Sequence, residues 1–273
     1  MTVEAHAKVN FTLEVLGIRP DGYHALRSLV VPVSLADTLT VEKAGTVSSD
    51  SPYGEKDLAV RAARALGVGA RLSVVKRIPV GGGLGGGSAD AAAALVALDE
   101  LYGLGHSREE LAEIGAAVGS DVPALVMGGP VLMEGRGERV TPAAEFQPLD
   151  LVLANPGVSV STPAVFAAFD RGGIAHSEAS TERMFAALAT GDRARIAAEL
   201  QNDLEGVSAA LCPAIADALA ALRDTGALGA RMSGSGATCF GLYCSASAAS
   251  AASAALSARG FRAWHVSTRS HHF

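Results

Sequence analysis

The chain has 273 residues, enough to bury a sizeable core without disulfide or metal staples, and room for one large domain or two modest ones. Lys plus Arg is 22 against 28 Asp plus Glu, a formal net charge of -6, which argues against the basic stripe of a nucleic-acid binder. An apolar share of 49% excludes a disordered chain, and aromatics at 5% are too few for base-stacking platforms. Glycine is enriched, 31 residues where the usual share is about 7%, and the glycines are clustered. Cys212, Cys239 and Cys244 form no CxxC pair and read as buried thiols of a reducing compartment. Met1 to Asn10 lacks the basic and apolar regions of a signal peptide, and no apolar stretch reaches the roughly 18 residues of a membrane helix. The expectation is a soluble cytoplasmic protein with no membrane and no nucleic-acid partner.

In chain order, Val3, Ala5, Ala7, Val9, Phe11, Leu13 and Val15 alternate with Glu4, His6, Lys8, Asn10, Thr12 and Glu14. Period two predicts a strand with one buried face, and puts Lys8 and Asn10 together on the other. Arg19-Pro20-Asp21-Gly22 is a turn, and Leu26 to Leu35 and Thr38 to Glu42 read as two further strands. Asp57 caps a helix that runs to Leu66 and stops at Gly67; Arg71 to Lys76 is a strand. A helix is expected from about Ser88 to Leu101. Ser107-Arg108-Glu109-Glu110 is a capping box opening another, which ends at Gly119. Ser120-Asp121-Val122-Pro123 starts a short helix, because proline is tolerated in the first turn. Short strands follow near Val131 to Met133 and Leu151 to Ala154. Helices are expected at Thr181 to Ala189, Arg193 to Leu200 and Pro213 to Arg223. Strands at Ala230 to Met232 and Thr238 to Tyr243, a helix at Ser247 to Ser257 and a strand at Phe261 to Val266 end the chain. That last order resembles a ferredoxin-like split βαβ. Strands and helices mix without regular alternation, which predicts an α+β fold of two domains, 1–150 and 151–273.

Between a strand and a helix lies Pro79-Val80-Gly81-Gly82-Gly83-Leu84-Gly85-Gly86-Gly87-Ser88-Ala89. Six glycines in seven positions strip a whole loop of side chains, so its N–H groups can converge on an anion beside the helix N-terminus. Gly81, Gly83 and Gly86 satisfy GxGxxG, but no ribose-binding acid follows on a strand, and the Gly-Lys-Ser/Thr of a Walker A loop is missing. The alternative is a flexible turn or close helix–sheet packing.

PVGGGLGGGSADAAAA (Pro79 to Ala94) resembles the phosphate-binding signature of the GHMP small-molecule kinases. AKVNFTLEVLGIRPDGYHAL (Ala7 to Leu26), GSDVPALV (Gly119 to Val126), NPGVSVSTPAVF (Asn155 to Phe166) and ARMSGSGATCFGLY (Ala230 to Tyr243) resemble the member that acts on a cytidine diphosphate methylerythritol. The resemblance implies a two-domain GHMP kinase fold, an N-terminal mixed α/β domain carrying the loop and a C-terminal ferredoxin-like domain. It implies ATP-dependent phosphorylation of the 2-hydroxyl of that substrate in the non-mevalonate isoprenoid pathway, with ATP and Mg²⁺ and with a monomer or weak homodimer. It carries the catalytic base onto Asp121 and the active-site lysine onto Lys8. From the residues alone, Asp121 reads equally as an acid at a helix start, and Lys8 as an exposed strand lysine. Asn10, Tyr23, His24, Thr162 and Phe166 are implied as the cytidine and methylerythritol pocket, with Tyr23 and Phe166 on opposite faces of the base. Lys76 stands where it can meet nucleotide phosphates, and Ser88 where it can reach Mg²⁺; no carboxylate cage for a metal is visible. Ser233-Gly234-Ser235-Gly236 is implied near the active site, or is a plain hairpin turn. Asp57, where an Asn is expected, and Ala89, where a second serine is expected, depart from the family. Asn202-Asp203-Leu204-Glu205 suggests no chemistry beyond a helix cap. The rivals are a GHMP kinase for homoserine, mevalonate or a sugar, and a non-catalytic protein on the same fold.

Overall fold

The computed structural model describes residues 1–172 and 179–269. The period-two segment forms β1 (Thr2–Asn10) and β2 (Thr12–Ile18), separated only by Phe11, and both pair antiparallel with β3 (His24–Lys43). The Arg19 turn closes this hairpin, Gly22 N donating to Arg19 O at 3.0 Å. Instead of the two expected strands, β3 is one strand of 20 residues. The register to β1 slips between His6 and Lys8, which takes up the irregularity around Val33 to Leu35 without ending the pairing. β4 (Ser48–Ser49), β5 (Ala70–Val75), β6 (Val131–Gly135) and β7 (Arg139–Pro142) complete this side of the sheet, β5 and β6 both pairing with β3.

The helices that pack here start where the sequence predicts. Asp57 accepts from Ala59 N to cap α1 (Leu58–Ala65), and Ser107 and Glu110 close a reciprocal capping box on α3 (Arg108–Ala116). Between them runs α2 (Gly86–Tyr102), starting two residues earlier than expected; α4 (Val122–Met127) follows Asp121.

The second sheet is built from β8 (Asp150–Asn155), followed by α5 (Thr162–Gly172), α6 (Ser180–Thr190), α7 (Arg193–Ala198), β9 (Gln201–Asn202), α8 (Glu205–Leu211), α9 (Ala214–Asp224), β10 (Gly229–Met232), β11 (Cys239–Tyr243), α10 (Ala246–Ala258) and β12 (Arg262–Ser267). Its spatial order is β10-β11-β8-β12, antiparallel throughout. Counted along the chain, the first of these strands lies between the third and the fourth, the arrangement of a split βαβ. The short β9 belongs to the other sheet, pairing in parallel with β2. β7, α5 and α8 have no counterpart in the sequence reading, nor do the two-residue strands β4 and β9. Among the described residues no single helix is long and apolar enough to cross a membrane.

Both faces of β1 are buried, which corrects the expectation of one solvated face. The apolar parity packs towards the second sheet, the Phe11 and Phe240 rings lying 5.9 Å apart. The polar parity is covered as well: Lys8 is 3% exposed, Asn10 1%, Thr12 0% and Glu14 1%. Lys8 lies under the glycine loop, and α2 packs against β1. Glu14 sits under the start of α6, where its carboxylate accepts from Ser180 N (2.5 Å), Ser180 Oγ (2.7 Å), Thr181 N and Thr181 Oγ1. A carboxylate at a helix N-terminus satisfies orphan N–H groups and opposes the dipole.

A buried ionic cluster fixes α2 to the sheet. Lys76 Nζ lies 2.5 Å from Asp37 Oδ2 and 2.6 Å from Asp90 Oδ2. Asp37 Oδ1 also accepts from Arg77 N and Ile78 N, so the chain entering the glycine loop hangs on this one side chain. Two carboxylates share one ammonium. Burial, assisted by neighbouring Asp37, pushes the Asp90 carboxyl up to about 7 against the pull of Lys76, and its Oδ1 is buried without a partner. The folded chain therefore keeps a proton on Asp90 that the unfolded chain releases near pH ~4, so stability falls as pH rises across that window and levels off above about 7. In Asp90→Asn that slope is expected to vanish. Thermal melts of variant and wild type from acid to neutral pH should diverge in the variant's favour, whereas a pH-independent offset counts against the shifted carboxyl.

Candidate active site

The two halves of the chain enclose a cleft of about 770 Å³. Its floor is the polar face of β1. Lys8 Nζ donates to Asn10 Oδ1 at 2.8 Å and lies 3.4 Å from Asp121 Oδ2. Asp121 holds the N-cap position of α4, yet its side chain makes no capping hydrogen bond. Asp121 therefore starts α4 without capping it through its side chain; the carboxylate faces Lys8. The Lys8 side chain is 4% exposed and that of Asp121 29%, so the ammonium is covered while the carboxylate opens on the cleft. Asn10 lines the cleft, but both ends of its amide are occupied: Oδ1 also accepts from Gly234 N at 3.0 Å, and Nδ2 donates to Ser28 Oγ at 2.8 Å. Its geometry is that of a brace for Lys8.

One wall is the glycine loop. Three consecutive carbonyls are turned into the protein: Gly82 O accepts from Thr238 N, Gly83 O from Ser233 Oγ and Leu84 O from Lys8 N, each at 3.0 Å. Across a trans peptide the N–H of the next residue points the opposite way. The anchors thus direct the N–H groups of Gly83, Leu84 and Gly85 away from the protein side. Gly83 has a φ of +79°, and a Cβ on it would lie 2.3 Å from Ser233 O, so this position admits no side chain. Gly81, Gly83, Gly85 and Ser88 line the cleft. Of the other residues expected at a nucleotide, Leu84 and Ala89 are core, 1% and 2% exposed, and Pro79, Val80, Gly82, Gly86 and Gly87 lie outside the lining. Lys76 also lies outside it. Its ammonium spans Asp37 and Asp90, which gives it a structural task in place of the expected open position at the phosphates.

The β2–β3 hairpin and α5 also line the cleft. Tyr23 is 55% exposed, with the Arg136 guanidinium 5.4 Å from its ring centroid. His24 and Phe166 are stacked, centroids 4.5 Å apart, and His24 Nε2 lies 2.7 Å from Asp170 Oδ1. Phe166 thus covers His24, whereas the sequence reading had it facing Tyr23 across a base. Thr162 Oγ1 and Ser235 Oγ are 2.7 Å apart. Tyr23, His24, Thr162 and Phe166 all line the cleft, as does Ser235 of the turn expected near the site; Arg136, Ser120 and Asp170 also line it, and the sequence reading gave these three no role there. Asp170 carries a local signal in hindsight: it follows Phe166 by one helical turn, beside the buried Val165 and Phe169 stripe.

The family description "GHMP kinases N terminal domain" matches residues 56–129, and "GHMP kinases C terminal" matches 184–262. A 4-diphosphocytidyl-2-C-methyl-D-erythritol kinase of Pelotomaculum thermopropionicum is 46% identical over 89% of this chain and 88% of its own length. One from Symbiobacterium thermophilum is 42% identical over 98% of this chain and 99% of its own. Among solved structures, a crystal structure of 4-(cytidine 5'-diphospho)-2C-methyl-D-erythritol kinase superposes with a TM-score of 0.86 at 37% identity, covering 99% of this chain and 100% of that one.

The Asn202 to Glu205 segment, which suggests only a cap in the sequence, holds the hairpin turn on which the loop hangs. Asn202 Nδ2 donates to Met232 O and Gly234 O, both at 2.8 Å, and Glu205 Oε2 accepts from Met232 N at 2.8 Å. Asp203 Oδ2 accepts from Val15 N at 2.9 Å, tying the same segment to β2. Burial pushes the Glu205 carboxyl above its ordinary range against the hydrogen bond from Met232. Asn202→Ala leaves two carbonyls without their donor. It is expected to lower the unfolding free energy by about 1–3 kcal/mol, the penalty for the buried Met232 carbonyl left unpaired, with the half-exposed Gly234 carbonyl adding little. Urea denaturation reads this, and a change under ~0.5 kcal/mol contradicts the bracing role.

Proposed function

The chain belongs to the GHMP kinases, and within them to the 4-diphosphocytidyl-2-C-methyl-D-erythritol kinase family; from that premise we propose that it transfers the γ-phosphoryl group of ATP to the 2-hydroxyl of 4-diphosphocytidyl-2-C-methyl-D-erythritol, giving the 2-phosphate and ADP. The observation that carries this reading is the covered Lys8 beside Asp121, 3.4 Å apart, on the same cleft as the anchored glycine loop.

Phosphoryl transfer asks for in-line positioning and for charge stabilisation around the moving group. The outward N–H groups of the loop and the N-terminus of α2 hold the nucleotide phosphates. Asp121 accepts the proton of the attacking hydroxyl, so the oxygen meets phosphorus as its negative charge develops. Lys8 faces the Asp121 carboxylate and offers its positive charge to the transferring phosphoryl oxygens. Asn10 and Ser28 fix the Lys8 ammonium, which removes a flexible side chain's usual freedom before substrate arrives. His24, Tyr23, Phe166 and Thr162, which line the same cleft, take the cytidine end of the substrate.

Magnesium fits the residues at the loop. Among the described residues no group of three or more His, Cys, Asp or Glu could hold a metal unaided. The Ser88 hydroxyl, an oxygen donor lining the cleft, would suit an ion that arrives on the nucleotide phosphates and keeps most of its waters. Such an ion would supply charge neutralisation to the nucleotide phosphates. The chain's own contribution there is to place Ser88 and the loop.

ADP release measured with a panel of the cytidylyl substrate, homoserine, mevalonate and a sugar tests the reading; turnover of any of the last three in preference to the first overturns it. Asp121→Asn is expected to lower the rate of ADP formation by about 10²–10⁴-fold. Its ATP affinity should stay within a few-fold of wild type, and full turnover by this variant would remove Asp121 from the mechanism. His24→Ala is expected to raise KM for the cytidylyl substrate by about 10-fold, some 1.4 kcal/mol, with KM for ATP unchanged. Equal effects on both would place His24 elsewhere than the cytidine end.

A further inference from the structure

Beside His24 lies an acid that none of the roles above uses. In α5, Val165 and Phe169 face the core, 0% and 4% exposed, and this turns Phe166 and Asp170 towards the β2–β3 hairpin. Both meet the same imidazole. Phe166 covers its face at 4.5 Å and Asp170 Oδ1 holds its Nε2 edge at 2.7 Å. The His24 side chain is 12% exposed, so the ring is held at a face and an edge within a mostly covered position.

The chemistry of that contact assigns the proton. A carboxylate only accepts, so the nitrogen facing it must carry hydrogen, and in the neutral ring the other nitrogen is then an acceptor. Among the described residues no group donates to His24 Nδ1, and the ring lines the cleft together with Tyr23 and Thr162. Cytosine and uracil differ at the 4-position, an amino donor in one and a carbonyl acceptor in the other. An acceptor held in place takes the amino group; against the carbonyl it sets two lone pairs face to face.

We propose that Asp170 is a specificity-determining positioning residue, which holds the His24 proton on Nε2 so that Nδ1 reads the exocyclic amino group of the cytidine base and the site rejects the uridine analogue. This rests on the kinase reading given above. Asp170 touches no reacting atom. It acts through His24, and its loss should change which base is taken while leaving the phosphoryl chemistry in place.

The test combines kinetics with a direct view of the ring. For the full chain, kcat/KM is measured with the cytidylyl substrate and with its uridine analogue, in wild type, Asp170→Ala and Asp170→Asn. A site built to bond an amino group should favour cytidine by about 10²-fold or more in wild type. In Asp170→Ala the ratio should fall by about 10-fold, through KM for the cytidylyl substrate, with kcat and KM for ATP within a few-fold. Asp170→Asn should keep most of the preference, because an amide oxygen still accepts the Nε2 proton. In parallel, ¹⁵N-histidine NMR of the wild type, with His24 assigned by its loss in His24→Gln, should show a single Nε2–H tautomer. That tautomer should become a mixture in Asp170→Ala. A cytidine-to-uridine ratio unmoved in Asp170→Ala, equal losses on both substrates, or a proton on His24 Nδ1 in the wild type each overturn the proposal while cytidine turnover persists. No ADP from wild type with the cytidylyl substrate sinks the kinase reading and this proposal with it.

Discussion

Everything in the cleft depends on three carbonyls facing the wrong way for solvent. Gly82, Gly83 and Leu84 turn their oxygens to Thr238, Ser233 and Lys8. A run of glycines has the highest conformational entropy of any segment to freeze, so it serves as a cradle only where other parts of the fold freeze it. Here the anchors come from both ends of the chain, β1 on one side and the β10–β11 turn on the other. That turn is itself held by Asn202, Glu205 and Asn10. The loop is rigid because it is suspended, and the suspension sets the direction of its N–H groups.

On the proposed reading, the same arrangement lets an acidic chain, net -6, serve an anionic nucleotide. The positive field is local. It comes from aligned N–H groups, the start of α2, Lys8 and Arg136 at the cleft. Lys76 contributes little to it, since Asp37 and Asp90 surround its ammonium. Its work is mechanical: it joins β3, the entry to the loop and α2, so the helix whose N-terminus faces the cleft cannot drift from the sheet.

The burial of Lys8 and Asn10 follows from the way the halves interlock. In an isolated sheet the polar parity of β1 would be wet, and Lys8 would be an ordinary surface lysine. Under the glycine loop the ammonium needs partners, and Asn10 and Asp121 supply them. Glu14 meets the same demand one turn of the pleat further on, where it receives the start of α6. Asn10 and Glu14 are met by Gly234 and by Ser180 and Thr181, far away in sequence, so β1 and β2 knit the fold as much as they floor the site.

The chain by itself determined the local devices. The Asp57 cap, the Ser107–Glu110 capping box, the Arg19 to Gly22 turn and the phosphate-loop composition are short-range physics, written in neighbouring residues and read from them. The split βαβ order of the second sheet was legible for the same reason, since each of its elements has a clear period. Helices α5 and α8 and strand β7 were not, because their apolar stripes are short and their stability comes from tertiary packing. The site divided likewise. Lys8, Asp121 and the glycines could be named in sequence, but which oxygen Lys8 faces, that Lys76 is tied to two acids, that Phe166 covers His24 and that Asp170 holds the ring are pairings across long separations. Only the tertiary structure decided these, because a hydrogen bond between distant residues leaves no periodicity in the chain. It exists only once burial has removed the competing water.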